Sequence, residues 1–191
     1  DDGIVSEGGS PTGYFLNKYI QEGTLFTDGE ETTNKHHWVI YRYAETLLTY
    51  AESMVNAFND VNYTDETYKY SALWAINEVR KNADMPAIPS SGKDEFLERL
   101  YNEWRVEFAL EGGKRMWDIR RWGIAKEVLN APFLGIKMKP VEKNGQIVDY
   151  ILYQGDNIKL AGSHYEDHNY LFPIPQKEME LNDKLTQNPG Y

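Results

Sequence analysis

Two stretches of helical periodicity constrain this chain most. From Arg42 onward, Ala44, Leu47, Leu48, Ala51, Met54, Val55 and Phe58 fall at i, i+3, i+4 and i+7 spacing, which sets them along one stripe of a helix. A second stripe follows the turn-forming run Asn59-Asp60-Val61-Asn62 and consists of Tyr68, Ala72, Ala75, Ile76, Val79 and Ala83. Thr64 or Asp65 is its expected N-cap, and Pro86 and Pro89 stop it. A helix with one apolar stripe must bury that stripe, and a short connection lets the two bury each other as an antiparallel hairpin. The small Ala44, Ala51, Ala72 and Ala75 permit close approach.

Downstream the pattern predicts a third helix over about Asp94 to Glu111, with Leu97, Leu100, Trp104 and Phe108 on its apolar face and Gly112-Gly113 as the stop. A fourth helical stretch runs from Arg115 to about Leu129, interrupted near Gly123. Beyond Gly135 the period changes. Asn144-Gly145 sits between Ile136-Met138-Pro140 and the run Ile147 to Tyr153, a strong hairpin signal. Gly155 to Asn169 reads as loop, Phe172-Pro173-Ile174-Pro175 as extended chain, and Gln176 to Leu181 as one helical turn. Residues 1–37, rich in glycine and lacking a sustained period, read as an irregular arm. The expected fold class is therefore mainly α: a tetratricopeptide-like helical hairpin, further helices, a small β-hairpin and long loops.

Charge narrows the partners. With 30 acidic against 20 basic residues the net charge is -10, which repels phosphate backbones and offers no basic patch for counterion release. Nucleic acid is not an expected partner. The longest apolar runs fall far short of the ~20 residues of a membrane helix. The absence of cysteine removes disulfides, Cys-ligated zinc and thiol catalysis.

The densest constellation of charge is Glu103, Arg105, Glu107, Glu111, Arg115, Asp118, Arg120 and Arg121, with Glu103, Glu107 and Glu111 at i, i+4 spacing. A glycosidase needs two carboxylates flanking the sugar bond, one of them protonated. Carboxylates set among so many arginines instead suit bidentate ionic pairing that locks helices together, so these eight are expected to be structural. His164-Tyr165-Glu166-Asp167-His168 offers two imidazoles and two acids, yet without a helix or further ligands to fix their spacing the expected reading is a solvated loop, with no metal and no cofactor. Aromatic residues make up 14% of the chain, and a sugar presents an apolar C–H face that stacks on exposed aromatic rings. Trp74, Trp104 and Trp117 fall in helical stripes and are expected in the core. Trp38, Phe26, Tyr165 and Tyr170 fall in loop or approach segments and are the candidate ligand-binding residues.

Four blocks in order then resemble the SusD/RagB family. Arg42-Tyr43-Ala44-Glu45-Thr46-Leu47-Leu48-Thr49-Tyr50-Ala51-Glu52, followed by Ala75-Ile76-Asn77-Glu78-Val79-Arg80, is similar to the family's helical-repeat pair. Asn102 to Gly112 leading into Arg115-Met116-Trp117-Asp118-Ile119-Arg120-Arg121-Trp122-Gly123 is similar to its second block, with Trp104 where an arginine is common and an extra residue around Gly113-Lys114. Tyr170-Leu171-Phe172-Pro173-Ile174-Pro175 with Glu178, and the terminal Gln187-Asn188-Pro189-Gly190-Tyr191, complete the match.

The resemblance implies one C-terminal domain over 1–191, divided into an arm (1–37), a helical part (38–131) and a hairpin with loops and tail (132–191). It implies that a signal, a lipidated cysteine and more helices precede this region, so that a lipid anchor outside this chain is the only membrane attachment. It further implies non-catalytic binding of an extracellular oligosaccharide or other nutrient at the outer face of the outer membrane, for delivery to a TonB-dependent SusC-like transporter, with ligand contacts drawn largely from loops and upstream regions. A helical scaffold that binds only proteins, or a glycoside hydrolase, are the alternatives.

Overall fold

The computed structural model describes residues 12–14, 16–20, 23, 37–153, 159–160 and 163–191. Packing divides the chain into two compact units, Lys35–Arg115 on the one hand and Asp1–Asn34 with Met116–Tyr191 on the other.

The helical unit begins with α1, Tyr43–Phe58. Its stripe is buried as expected, through Leu47, Leu48, Ala51, Met54 and Val55. Asn59 ends it in the left-handed conformation (φ 55°) while donating its N–H to the Val55 carbonyl, the closure that asparagine tolerates better than most residues. The second helix, α2, spans Ala72–Asn82, and Ser71 caps it by accepting from the Trp74 N–H. The expected cap at Thr64 or Asp65 is thus corrected, and Tyr68 lies outside the helix, 39% exposed. Competition by a side chain explains the difference. The Asp65 carboxylate accepts the N–H groups of Thr67 at 2.8 Å and Tyr68 at 2.7 Å, which closes a local turn where a helix would otherwise propagate.

The third helix, α3, spans Lys93–Glu107. It stops one turn earlier than its charge pattern suggests, because Leu110, Gly112 and Gly113 all adopt positive φ (66°, 56° and 68°), incompatible with helix. α1 packs most extensively on α2 and also on α3. Leu48, Ala51, Val55, Ala72, Ala75, Ile76, Phe96 and Leu100 are completely buried, and burying each of the Val, Leu, Ile and Phe side chains among them contributes about 1.5 to 3 kcal/mol. Phe96, absent from the expected stripe, is the largest of them.

In the second unit α4, Lys114–Arg121, and α5, Ala125–Asn130, replace the single interrupted helix. Gly123 (φ 73°) makes the break. A small core gathers Ile119, Ala125 and Tyr165, with Ile124, Val128, Leu129 and Tyr170 packed around it. The hairpin forms as the Asn-Gly signal predicts. β2, Lys137–Lys143, pairs antiparallel with β3, Gln146–Tyr153. Asn144 and Gly145 both take positive φ (55° and 74°), the requirement of a type I′ turn. A bulge at Val148 shifts the register between Val141 and Glu142. A second pair, β1 (Phe133–Leu134) with β4 (Lys159–Leu160), was not legible as strand. The loop read over Gly155 to Asn169 ends in a 3-10 turn over Asp167–Tyr170, locked by a reciprocal capping box between Glu166 and Asn169. One more helix, α6, spans Gln176–Leu181 as expected.

Candidate functional site

Arg42 stands immediately before α1 in extended conformation (φ -147°, ψ 161°), so its side chain leaves the helix start rather than running along it. Its guanidinium meets Glu111 through two parallel bonds of 3.0 Å from Nε and Nη2. It also donates to the Glu107 carboxylate and, at 2.7 Å, to the Glu107 carbonyl. The Phe108 ring lies beneath it, 4.4 Å from the guanidinium carbon to the ring centroid. Burial is the largest influence on this guanidinium and opposes its charge, but the hydrogen bonds to Glu111 and Glu107 together outweigh it and hold the pKa above the ordinary arginine value. Nearby, Lys114 reaches Glu45 at 2.6 Å. Arg80 donates to Glu103 at 2.6 Å and to the Pro86 carbonyl at 2.8 Å.

Glu103 thus pairs with Arg80, and Glu107 and Glu111 with Arg42, neither arginine being among the eight residues expected to form an ionic cluster. Both arginines lie far along the chain from these carboxylates, 65 and 69 residues for Arg42 and 23 for Arg80, so no local spacing links them. Glu103 and Glu111 are buried, at 6% and 3% exposure. Arg105 instead turns to Asn102, 2.7 Å away on the surface of α3, and Arg115 is half-buried. In the other unit Asp118 accepts from Arg121 at 3.0 Å. Arg120 lies over the rings of Tyr165 and Phe172, 5.5 and 5.1 Å from their centroids, a cation–π arrangement rather than a carboxylate pair.

The candidate ligand-binding aromatics divide three ways. Trp38 is exposed at 71%, while Phe26 lies outside the described residues. The expectation of exposure is corrected for Tyr165, which is 5% exposed. Asn130 exchanges two hydrogen bonds with its backbone, and the Tyr165 hydroxyl donates to the Asn169 carbonyl at 2.9 Å. Tyr170 is half-buried, edge-on to Tyr165 at 5.3 Å, with its hydroxyl donating to the Gly123 carbonyl at 2.8 Å. Both rings are placed by the need to satisfy irregular backbone. Trp104 is in the core as expected, whereas Trp117 is 57% exposed and leans on the exposed Phe172. His164 contacts Glu166 at 3.3 Å, and His168 meets the Tyr191 ring edge-on. Among the described residues no cluster of three His, Cys, Asp or Glu side chains could hold a metal ion.

The helical unit also carries a cleft of about 610 Å³, lined by Tyr43, Leu47, Tyr70, Trp74, Glu78, Asn82 and the Arg42–Glu107 pair. Tyr70 and Trp74 stack at 4.1 Å, 26° from parallel. The Tyr50 hydroxyl donates to the Tyr70 carbonyl at 2.6 Å and so fixes the approach to α2. The expectation of Trp74 in the core is corrected, since its ring is half-buried and lines this cleft. The spacing Trp74, Glu78, Asn82, each four residues apart and off the buried stripe, was the available signal.

A model of the family described as SusD family matches residues 2–191. Among solved structures, a SusD-like carbohydrate-binding protein from Bacteroides fragilis is 31% identical, with a TM-score of 0.58 over 77% of this chain and 28% of its own. A second SusD-like protein from Bacteroides fragilis is 28% identical, with a TM-score of 0.58 over 81% of this chain and 26% of its own. A SusD superfamily protein from Parabacteroides distasonis is also 28% identical, with a TM-score of 0.50, and 27% of it is covered. The chain thus spans roughly a quarter of each of these proteins. Nothing among the curated proteins matches it.

Proposed function

Because this chain belongs to the SusD family, we propose that it forms part of a non-catalytic receptor that binds an extracellular oligosaccharide or other nutrient. In this reading the receptor sits at the outer face of the outer membrane and passes its ligand to a TonB-dependent, SusC-like barrel. The observation that carries the proposal is the family match over nearly the whole chain together with the fold shared with a SusD-like carbohydrate-binding protein. Capture followed by handover needs only that ligand favour the closed receptor–transporter complex by its differential affinity for the two states.

For Glu103 and Glu111, geometry speaks against the hydrolase alternative. Glycoside cleavage calls for two carboxylates facing one bond across an open space. Glu103 and Glu111 are instead buried in contacts with different arginines, Arg80 and Arg42.

Calorimetric titration with a panel of soluble glycans tests the reading, with assay for new reducing ends in the same samples. The expected result is saturable binding of at least one glycan with no turnover. Absence of binding across the panel would favour the protein-only scaffold, and turnover that disappears in Glu103→Gln or Glu107→Gln would favour the hydrolase.

A further inference from the structure

The cleft beside α2 is not among the places where exposed loops suggested ligand contacts, yet it has the two kinds of lining a saccharide needs. One part is aromatic. Tyr43 is 69% exposed and Tyr70 54% exposed, and Tyr70 stacks on the half-buried Trp74. This stack is held from behind, because Ser71 caps the first turn of α2 through the Trp74 N–H and Tyr50 holds the Tyr70 carbonyl. Ring faces fixed in this way are a stacking platform that loses little entropy when covered.

Another part of the lining is polar. Glu78 and Asn82 continue along α2 from Trp74 at successive intervals of four residues, which sets all three on one face, and Glu107 also lines the cleft. Glu78 keeps a side-chain exposure of 37%, its nearest cation being Lys81 at 3.9 Å. A carboxylate and an amide in this position accept and donate to hydroxyl groups. The volume of about 610 Å³ falls within the range of small-molecule sites.

Charge selects among sugars. The cationic side chain on the lining is Arg42, and its guanidinium is held by Glu107 and Glu111. Two carboxylates, Glu78 and Glu107, also line the cleft, one more than its cations, so an acidic sugar would meet net repulsion that the exposed Lys81 beside Glu78 only partly offsets.

We propose that this cleft is a binding site for a neutral oligosaccharide, stacked on Tyr43, Tyr70 and Trp74 and hydrogen-bonded by Glu78 and Asn82. The proposal rests on the glycan-binding reading above and assigns it a place on the helical unit.

Two panels test it on the chain as it stands: short neutral oligosaccharides and matched uronate-containing ones, followed by calorimetry and tryptophan fluorescence. Binding of a neutral oligosaccharide is expected, about tenfold weaker in Tyr43→Ala and in Trp74→Ala, with Asn82→Ala weakening it less. Tyr43 and Asn82 are surface residues, so far-UV circular dichroism of those variants should match the parent even if Trp74→Ala loses structure. If a glycan binds and Tyr43→Ala and Asn82→Ala leave its affinity unchanged, the site is wrong while the receptor reading survives. If no glycan of either panel binds, the cleft is not a glycan site and the proposal falls. Preferential binding of uronates would overturn the assigned sugar class. A concentration-dependent dimer that shields Tyr43 from solvent would assign the cleft to a second copy and overturn the proposal as well.

Discussion

The helical unit and the strand-and-loop unit solve the same problem, burying chain without leaving polar groups unpaired, by different means. In the helical unit the backbone satisfies itself within α1, α2 and α3, so side chains are free to form a closed apolar core and a rim of Arg–Glu pairs. In the other unit much of the chain is irregular, and side chains bond the backbone instead. Asn130 exchanges two bonds with Tyr165, Gln187 exchanges two with Ile174, and Asn188 donates to the Phe172 carbonyl. The Tyr191 hydroxyl donates to the Leu171 carbonyl at 3.1 Å. The helical unit uses the same device where Asn77 exchanges two bonds with the Ile88 backbone, so the units differ in emphasis, with buried Arg–Glu pairs in the regular one and amides and phenols on irregular chain in the other.

The comparison breaks first if equal truncations cost the same in both. Leu48, with no exposed surface, sits in the denser core, and Leu48→Ala is expected to destabilise by about 3 to 5 kcal/mol. Ile119→Ala, in the smaller cluster, should fall near the lower end of the roughly 2 to 5 kcal/mol range. Urea unfolding followed by far-UV circular dichroism reads both, and equal losses would contradict the distinction.

Removing the clamp is the next largest effect. Arg42→Ala strands the buried Glu111 carboxylate, a kind of loss that reaches about 3 to 5 kcal/mol when the pair is fully buried. Since the Arg42 side chain is 28% exposed, solvent screening brings the expected cost to about 2 to 3 kcal/mol. Thermal unfolding with a double-mutant cycle against Glu111→Ala checks it; additivity would mean that the pair contributes nothing.

For the irregular unit, Asn130→Ala leaves the Tyr165 N–H and carbonyl without those partners. A cost of about 1 to 3 kcal/mol is expected, localised as faster hydrogen exchange at the Tyr165 amide while α1 exchanges as before. Uniform acceleration across both units would erase the comparison.

The smallest effect is a pH dependence at the turn before α2. The N–H of Tyr68 above all, then the Tyr63 hydroxyl, holds the Asp65 carboxyl below its ordinary value. A carboxyl lowered in the folded state adds stability above its unfolded pKa and loses it as pH falls through the folded one. Exchange at the Thr67 and Tyr68 amides should therefore gain protection above the ordinary carboxylate range relative to strongly acidic solution, and Asp65→Asn should flatten the profile.

Much of this fold could be read from periodicity alone, where local chemistry and tertiary packing agree. The α1 stripe, the Asn144-Gly145 turn and α6 are such cases. Misreadings arose where a side chain competes with the backbone, as Asp65 does, or where left-handed residues end a helix ahead of its charge pattern, as Leu110 and Gly112 do. Pairing over two residues, as in β1 with β4, leaves no period to detect. The candidate site was less legible than the fold. Tyr165 and Tyr170 lie in loop sequence and yet are scaffold, because irregular chain recruits aromatic hydroxyls to its carbonyls. Trp74 lies in a helix and yet lines a cleft, because one helix face is buried and its neighbour is not.

The Arg42 clamp also bears on the rate of unfolding. Arg80 and Glu103 are 23 residues apart, whereas Arg42 meets Glu107 and Glu111 across 65 and 69. Closing the longer interval restricts more of the chain at once and costs somewhat more loop entropy, about 1 kcal/mol for a threefold longer loop. An interaction made after the folding barrier does little to hasten folding and much to slow escape from the native state. If the Arg42 clamp closes after that barrier, it is a latch, and Arg42→Ala should speed unfolding while leaving the folding rate unchanged in stopped-flow urea jumps.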